Sequence, residues 1–295
     1  MSSAPANNPS QQLAILFAIV AAVSMATIGV FSRITELPAV VVTFYRLFLG
    51  AGFMALWIAY RGGSFRSIAA DRKGIALTGA YLAGFIICYI EAMNRTLMAN
   101  AILIVYLAPI AATLFNRVFF GETVSRLQMV AMILALCGFV LMQDFRSANL
   151  QRELNSGLLY AALAMLFYAA FIIQNRYISG GTPSSSRTFW QLLVGALCVS
   201  PFLYLTPGNA SVPIEQLGWV LLIGFLPGFI AIYAAIAALE KLPTPVYGTI
   251  TYLEPVSVIL FGWILFSEAL SWMQLGGVAL ILISGIGQIV ISKPR

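Results

Sequence analysis

The sequence contains no histidine and only three cysteines, and charged side chains make up 9% of its 295 residues. Without histidine, a Ser–His hydrolytic site and a His-based proton relay are excluded. Each cysteine lies inside an apolar run, with no spacing suited to zinc or to a disulfide framework. There is also no Gly-rich phosphate-binding loop. The sequence therefore predicts a protein that is not an enzyme and that has no cofactor and no metal.

The scarcity of charge is matched by an excess of apolar residues. Hydrophobic residues make up 61% of the chain, whereas soluble domains are about 45–50% apolar and about 25% charged. The net charge of +6 resembles that of a nucleic-acid-binding protein. However, the basic residues lie in short clusters between apolar runs, as they do in membrane proteins. We expect a lipid bilayer around the chain and no nucleic acid as partner.

Ten apolar runs are long enough to cross a membrane, since a crossing takes about 20 residues at 1.5 Å each. This pattern predicts an all-α membrane protein with ten transmembrane helices. The runs are 13–32, 38–60, 74–93, 101–119, 127–143, 156–178, 188–205, 217–239, 244–266 and 272–291. The connections between them are too short to fold as soluble domains, so the protein must act within the membrane.

The basic residues between the runs predict the orientation of the chain. Four lie on one side, namely Arg33, Arg95, Arg146 and Arg152. Eleven lie on the side of the N-terminus: Arg61, Arg66, Arg72, Lys73, Arg117, Arg126, Arg176, Arg187, Lys241, Lys293 and Arg295. Because Lys and Arg are enriched in cytoplasmic loops, both termini are predicted to be cytoplasmic.

The chain also repeats itself. Residues 43–51 (TFYRLFLGA) match residues 188–196 (TFWQLLVGA) at an offset of 145, and residues 106–109 (YLAP) match residues 252–255 (YLEP) at an offset of 146. Each copy holds five spans, an odd number, so the second copy must be inverted in the membrane. We therefore predict two inverted five-helix repeats, 13–143 and 156–291, which is a transporter architecture. The polar segment 144–155 separates them.

These features resemble the EamA-type branch of the drug/metabolite transporter superfamily. The resemblance rests on Phe44 and Arg46 of the second span, on a proline in the middle of spans four and nine, and on the hairpin residues Gly121, Glu122 and Gln128. Within the superfamily the chain is most similar to bacterial exporters of aromatic amino acids. The resemblance implies a bacterial inner-membrane protein, a cavity lined by spans 1, 3, 4, 6, 8 and 9, and metabolite efflux. The chain departs from the repeat pattern at Gln191, where an arginine is expected.

Two charged residues inside spans are candidate substrate ligands. Arg46 lies about 12 Å into the second span by helix rise, and a charge at that depth suggests binding of a substrate carboxylate. A structural bond to backbone carbonyls is the alternative. Glu254 precedes Pro255, which frees carbonyls of the ninth span. This carboxyl suits a proton, a cation or a substrate ammonium, or else a structural bond to a neighbouring helix.

Tyrosines form the second set of candidates. Those that lie well inside spans need a partner or water for the hydroxyl, and we predict that they line the cavity rather than pack. The set is Tyr106, Tyr168 and Tyr252, together with Tyr81 and Tyr89 on one face of span three. A cavity walled by aromatic rings suits ring-bearing amphipathic substrates.

The remaining polar and small residues have structural interpretations. We expect Glu91 to pair locally with Arg95 at i, i+4, and Glu122 and Glu268 to favour the start of the helix that follows each. Pro227 and Gly228 predict a kink in span eight. Five glycines of spans five and ten are predicted to be packing positions, within the bundle or across a dimer: Gly138, Gly276, Gly277, Gly285 and Gly287.

The sequence as a whole favours a transporter that exports small metabolites by alternating access, with aromatic and neutral amino acids as leading substrates. Lipophilic cations or drugs, nucleosides and sugars remain alternative substrates, and a facilitator or channel is an alternative class. A channel would need a selectivity filter or a ring of charges, and neither is visible in one chain. The expected assembly is a monomer or a homodimer.

Overall fold

The computed structural model describes residues 9–66, 71–95, 98–142, 154–178, 181–205, 212–267 and 269–291, and all regular structure in these ranges is helical. The first eight α-helices are α1 Pro9–Thr35, α2 Ala39–Tyr60, α3 Arg72–Arg95, α4 Met98–Val105, α5 Ala108–Phe119, α6 Arg126–Met142, α7 Leu154–Tyr177 and α8 Ser184–Tyr204. The other five are α9 Leu217–Ile223, α10 Ala231–Lys241, α11 Thr244–Thr251, α12 Leu253–Phe266 and α13 Trp272–Ile291. Residues 144–153 of the predicted boundary, and Glu268, lie outside the described ranges.

Ten helical segments correspond to the ten predicted spans. Within the described ranges, eight of them are long and apolar enough to cross a membrane by length and composition. The other two are α6, a shorter apolar helix of 17 residues, and α8, which has 21 residues but carries Arg187 and Gln191. Large apolar side chains such as Leu56, Val118 and Ile283 are 64–73% exposed on the outside of the bundle. A surface of this kind fits a lipid environment. The protein is a multi-pass membrane protein.

Two spans are broken in the middle. Span four consists of α4 and α5, with a turn at Tyr106 and Leu107, and span nine consists of α11 and α12, with a break at Tyr252. Pro109 and Pro255 lie at the start of the second half of each span. Because proline has no N–H and its ring clashes with the preceding turn, the ladder of backbone hydrogen bonds is interrupted there. The prolines thus set both breaks.

Span eight contains a π-helix, Gly224–Ile230, between α9 and α10. Pro227 lies inside it, and the Ala231 N–H donates to the Leu226 carbonyl five residues back. The predicted kink is therefore an insertion of π-helix, a form that is frequent at functional sites. The π-helix packs on α2, and a Cβ atom added at Gly228 would overlap the carbonyl oxygen of Arg46.

The helices pack in pairs that join the two halves of the chain. The main contacts are α3 with α7, α1 with α10, α2 with α8 and α6 with α13. In the last pair, a Cβ added at Gly138 would lie 2.7 Å from the Gly277 carbonyl oxygen. Small residues let helices approach this closely in lipid. By contrast, a Cβ at Gly276, Gly285 or Gly287 would meet no described atom within 4 Å, so only two of the five predicted packing glycines lie in a close contact.

Local caps fix the helix ends at both ends of the bundle. Before α6, Ser125 and Gln128 exchange bonds, from the Ser125 N–H to Oε1 of Gln128 at 2.9 Å and from the Gln128 N–H to Oγ of Ser125 at 3.1 Å. Before α13, Ser271 and Gln274 form the same capping box at 2.9 and 3.2 Å. The predicted Glu91–Arg95 pair is confirmed at 2.9 Å, and its hydrogen bond raises the pKa of Arg95.

Candidate functional site

A small internal cavity lies in the core of the bundle. Its volume is about 20 Å³, room for about one water molecule. Residues of α1, α7, α10, α11 and α12 line it, namely Ala18, Ala21, Ala22, Met25, Tyr168, Ala235, Tyr247, Thr251 and Glu254. These helices belong to four of the six spans that the family resemblance implies, spans 1, 6, 8 and 9.

Glu254 is the acidic residue of this cavity. It occupies the first turn of α12, directly after the break in span nine. The Tyr106 hydroxyl and the Arg46 guanidinium both interact with its carboxyl group. The broken helices therefore bring Tyr106 of span four and Glu254 of span nine together. The carboxyl group of Glu254 and the guanidinium of Arg46 are thus coupled electrostatically across the site.

Arg46 also makes structural contacts. Its Nε donates to the Pro227 carbonyl at 3.1 Å, and its Nη2 lies 2.7 Å from the Met25 sulfur. Pro227 belongs to the π-helix, in which the backbone bonding pattern is shifted by one residue. The arginine thus ties α2 to span eight, as the structural alternative predicted. Met25 lines the cavity, so the guanidinium contacts a residue of the cavity wall.

Aromatic rings form one side of the site. The ring of Tyr168 stacks on Phe85 at a centroid distance of 4.9 Å, and Phe85 stacks on Tyr89 at 5.9 Å. The hydroxyl groups of Tyr168 and Tyr247 are within hydrogen-bonding reach of each other, and the charge of Glu254 acts on Tyr89. Offset stacking of this kind is favourable beyond simple burial. The three rings form a stacked row, and Tyr168 is the member of this row that lines the cavity.

Of the five predicted tyrosines Tyr168 lines the cavity, whereas Tyr81, Tyr89, Tyr106 and Tyr252 are not among the lining residues. Tyr252 is fully buried, its hydroxyl donates to the Tyr106 carbonyl at 2.7 Å, and its ring lies 5.6 Å from the Tyr106 ring. This bond satisfies a carbonyl that the helix break has freed. Tyr81 contacts Phe167 at 6.3 Å. The structure thus places Tyr252 behind Tyr106 and Tyr81 against α7.

A second polar cluster lies where α7 ends and α8 begins. Arg187 is fully buried there, although the sequence placed it in a loop. Its Nη2 donates to the carbonyl oxygen of Asn175 at 2.7 Å, and its Nη1 lies 3.7 Å from the Glu240 carboxylate. Gln191, which takes the place of the repeat's arginine, donates to Asn175 Oδ1 at 2.8 Å. The cluster links α7, α8 and α10 at the predicted cytoplasmic end.

The expectation that Glu122 favours its own following helix is wrong. Its carboxylate accepts hydrogen bonds from the N–H and the hydroxyl of Thr244, at 2.9 and 2.8 Å, and so caps α11. Asn116 donates to the same hydroxyl at 2.7 Å. The physical reason is distance along the chain, since Glu122 precedes α6 by four residues and Ser125 already caps that helix. The N–H group of Thr244, which has no partner within α11, is the nearer target.

Several residues of the site were not singled out from the sequence. Met25 and the alanines of α1 lie in a span that is apolar on every side, so no periodicity marks the face that is buried. Tyr247 and Thr251 precede the break in span nine, and the Thr251 hydroxyl donates to the Tyr247 carbonyl at 2.9 Å. The signal that was available is their spacing: Tyr247, Thr251 and Glu254 lie at i, i+4 and i+7, on one helical face.

The sequence matches a family of membrane transporters. A model of the EamA-like transporter family matches residues 12–143 and again residues 155–289. The chain therefore belongs to the EamA-like transporter family, within the drug/metabolite transporter superfamily.

Three similar proteins are also transporters. An uncharacterized transporter, YxxF, of Bacillus subtilis is 23% identical over 74% of this chain and 70% of its own length. The pseudopaline exporter CntI of Pseudomonas aeruginosa is 24% identical over 63% of each chain. An uncharacterized transporter of Archaeoglobus fulgidus is 27% identical over 63% of this chain and 65% of its own. A crystal structure of a protein with 20% identity aligns with a TM-score of 0.81 over 95% of this chain and 99% of the other, which shows a shared fold.

Proposed function

We propose that the protein exports small zwitterionic metabolites, with aromatic and neutral amino acids as the leading substrates, by alternating access. The observation that carries the proposal is the electrostatic coupling of Glu254 and Arg46 at a cavity that Tyr168 and Tyr247 help to line. An amino acid carries an ammonium and a carboxylate on one carbon. In this proposal Glu254 receives the ammonium, Arg46 receives the carboxylate, and the Tyr168 ring contacts the side chain.

The small volume of the cavity supports a cycle with opening and closing. A space of about 20 Å³ holds about one water molecule, far less than an amino acid needs. Substrate entry therefore requires the helices around the cavity to separate. Span eight is suited to this movement, because its π-helix and Pro227 interrupt the backbone bonding next to Arg46.

The arrangement of the helices supports two inverted repeats, the first in 13–143 and the second in 156–291. A twofold axis in the membrane plane would exchange span 1 with 6 and span 3 with 8. The contacts α3 with α7 and α1 with α10 are then equivalent, and α2 with α8 and α6 with α13 cross the axis. The eight-residue helices α4 and α11 are also equivalent. With both termini in the cytoplasm of a bacterial inner membrane, the cavity is reached alternately from each side.

Transport by purified protein in liposomes tests the substrate proposal. Phenylalanine is compared with phenethylamine, which lacks the carboxylate, and with phenylpropionate, which lacks the amine. A lost hydrogen bond to a charged group costs about 1.5–3 kcal/mol, or about 10- to 150-fold in affinity. Glu254→Gln should weaken phenylalanine and phenethylamine by this amount and spare phenylpropionate. Arg46→Gln should weaken phenylalanine and phenylpropionate and spare phenethylamine.

Glu91→Gln is the matched control, because Glu91 pairs with Arg95 at the surface and lies outside the cavity lining. It should leave all three affinities unchanged. Equal affinity of the wild type and of both site variants for phenylalanine, with folded protein, would refute the assignment of the two charges.

Lipophilic cations are the second candidate substrates, favoured by a carboxyl among stacked rings. Their transport should depend on Glu254 and should not require Arg46. The same liposomes distinguish the two classes when a lipophilic cation is added as a fourth solute. A facilitator or channel would show flux that does not saturate with solute concentration.

A further inference from the structure

A second and much larger cavity lies at the predicted cytoplasmic end, on the flank of the bundle between α3 and α8. Its volume is about 840 Å³, within the range of about 300–1,000 Å³ that is usual for ligand sites. It is separate from the cavity at Glu254, with which it shares no lining residue. The described residues that matter for its chemistry are Arg66, Arg72, Phe65, Trp190, Ile75 and Val194.

The polar part of this flank cavity is basic. Arg66 and Arg72 line it, and both side chains are exposed, so their guanidinium groups face water. Among the described residues no acidic side chain lines the cavity. Two guanidinium groups at one rim form a site for a phosphate or carboxylate, because arginine binds such groups in a bidentate manner.

The deeper part of the cavity is apolar. Ile75 and Ala76 of α3 and Val194 of α8 line it. The two helices touch closely at its floor, where a Cβ added at Gly79 would lie 2.8 Å from the Gln191 carbonyl oxygen. Ala76 and the next residue, Leu77, are exposed on the flank of the bundle. The apolar wall is thus continuous with the surface that faces the acyl chains.

Described contacts hold the wall between these two parts in place. The Trp190 indole N–H donates to the Phe65 carbonyl at 2.9 Å, and the Ser186 hydroxyl donates to the Ser64 carbonyl at 2.5 Å. The ring of Phe65 packs edge-on against Phe189 at 5.1 Å. Tryptophan is typical of the level of the lipid headgroups. The wall is therefore built by α8 and not by the loop alone.

We propose that this flank cavity binds an anionic phospholipid, with its phosphate between Arg66 and Arg72 and an acyl chain along Ala76 and Val194. Basic pockets between transmembrane helices at the cytoplasmic side recognise such headgroups. A free phosphate would use the arginines and leave the apolar wall without a partner. A lipid uses both parts. The bound lipid joins the start of α3 to α8 and stabilises the folded bundle.

Thermal unfolding of the full chain in mixed micelles tests the proposal. The probes are phosphatidylglycerol, phosphatidylcholine with the same acyl chains, and inorganic phosphate at equal concentration. We expect only phosphatidylglycerol to raise the unfolding temperature. Each arginine near a lipid surface contributes about 1 kcal/mol, which is about fivefold in affinity. The double variant Arg66→Gln/Arg72→Gln should therefore bind phosphatidylglycerol about 25-fold more weakly and lose the shift.

The matched control is Arg117→Gln/Arg126→Gln, which removes the same charge from exposed positions at the same end, outside the cavity. It should keep the shift. Phosphatidylglycerol with brominated acyl chains supplies a second readout. The brominated lipid should quench the fluorescence of Trp190, which is the component that the Trp190→Phe variant lacks. It should quench this component less in the Arg66→Gln/Arg72→Gln variant.

Three results would overturn the proposal. A phosphatidylglycerol shift that survives in the cavity double variant would place the lipid elsewhere. An equal loss of the shift in the control variant would mean a general effect of net charge. An equal shift with inorganic phosphate would mean a simple anion site.

Discussion

Removal of the Glu122 carboxylate should destabilise the protein through the start of α11. In the folded state this carboxylate accepts two hydrogen bonds from Thr244, at 2.9 and 2.8 Å. A hydrogen bond to a charged group contributes a net free energy of about 1.5–3 kcal/mol to folding, and a helix cap contributes about 0.5–2 kcal/mol. Because the two bonds share one carboxylate and Glu122 is half-buried, we expect Glu122→Ala to cost about 2–3 kcal/mol.

A double-mutant cycle isolates this interaction. Thr244→Val removes the hydroxyl bonded to Glu122 and leaves the buried Asn116 amide without its acceptor, so it should also destabilise by about 1–3 kcal/mol. The coupling energy between the two sites should be about 1–2 kcal/mol, as for residues in one network. SDS-induced unfolding in mixed micelles measures each variant.

The matched control is Glu91→Ala, which removes an exposed pair at i, i+4. It should cost about 0.3–0.5 kcal/mol. Independent, additive effects of the Glu122 and Thr244 variants would contradict the reasoning. So would a Glu122→Ala variant that is as stable as Glu91→Ala.

Three further predictions concern the site, the helix packing and the topology. Tyr106→Phe should weaken phenylalanine transport by about tenfold, because the hydroxyl that interacts with Glu254 is lost. Tyr252→Phe should lower stability and leave transport unchanged. If Tyr252→Phe weakened transport in liposomes and Tyr106→Phe did not, the roles of the two tyrosines would be exchanged. Gly228→Ala should destabilise the protein by about 1–3 kcal/mol in the same SDS assay, because the added methyl group overlaps the Arg46 carbonyl. The control Gly276→Ala adds a methyl group in open space and should cost much less. Equal costs of the two variants would exclude a tight contact at Gly228. The cysteine of a Ser64→Cys variant should not react with a membrane-impermeant thiol reagent added outside the cell. Its modification in intact cells would show that the protein has the opposite orientation.

The sequence predicts the helical segments well because each span has to be apolar along its whole length. Predicted span 38–60 corresponds to α2 at Ala39–Tyr60, and predicted span 156–178 corresponds to α7 at Leu154–Tyr177. The prolines of spans four and nine also indicate where those helices break, since the cause is local. The break at Tyr252 is visible in the structure at the expected place.

The pairing of residues across the bundle is not predictable in the same way. Glu122 caps a helix 122 residues further along the chain, and no local pattern carries that information. Arg187 looks like a loop cation in the sequence, and its burial depends on Asn175 and Glu240 of other helices. Glu254 was a candidate from its depth and its proline neighbour, but its proximity to Arg46 required the fold.

The alanines of the central cavity bear on how substrate preference diverges among related transporters. Ala18, Ala21, Ala22 and Ala235 form much of the wall opposite the polar residues. One methylene group in an apolar pocket changes discrimination by about 10- to 200-fold. A lineage can therefore acquire a different side-chain preference by enlarging one alanine, while the acid, the guanidinium and the helix breaks stay as they are. We therefore expect relatives at 23–27% identity to differ in substrate more readily than in fold.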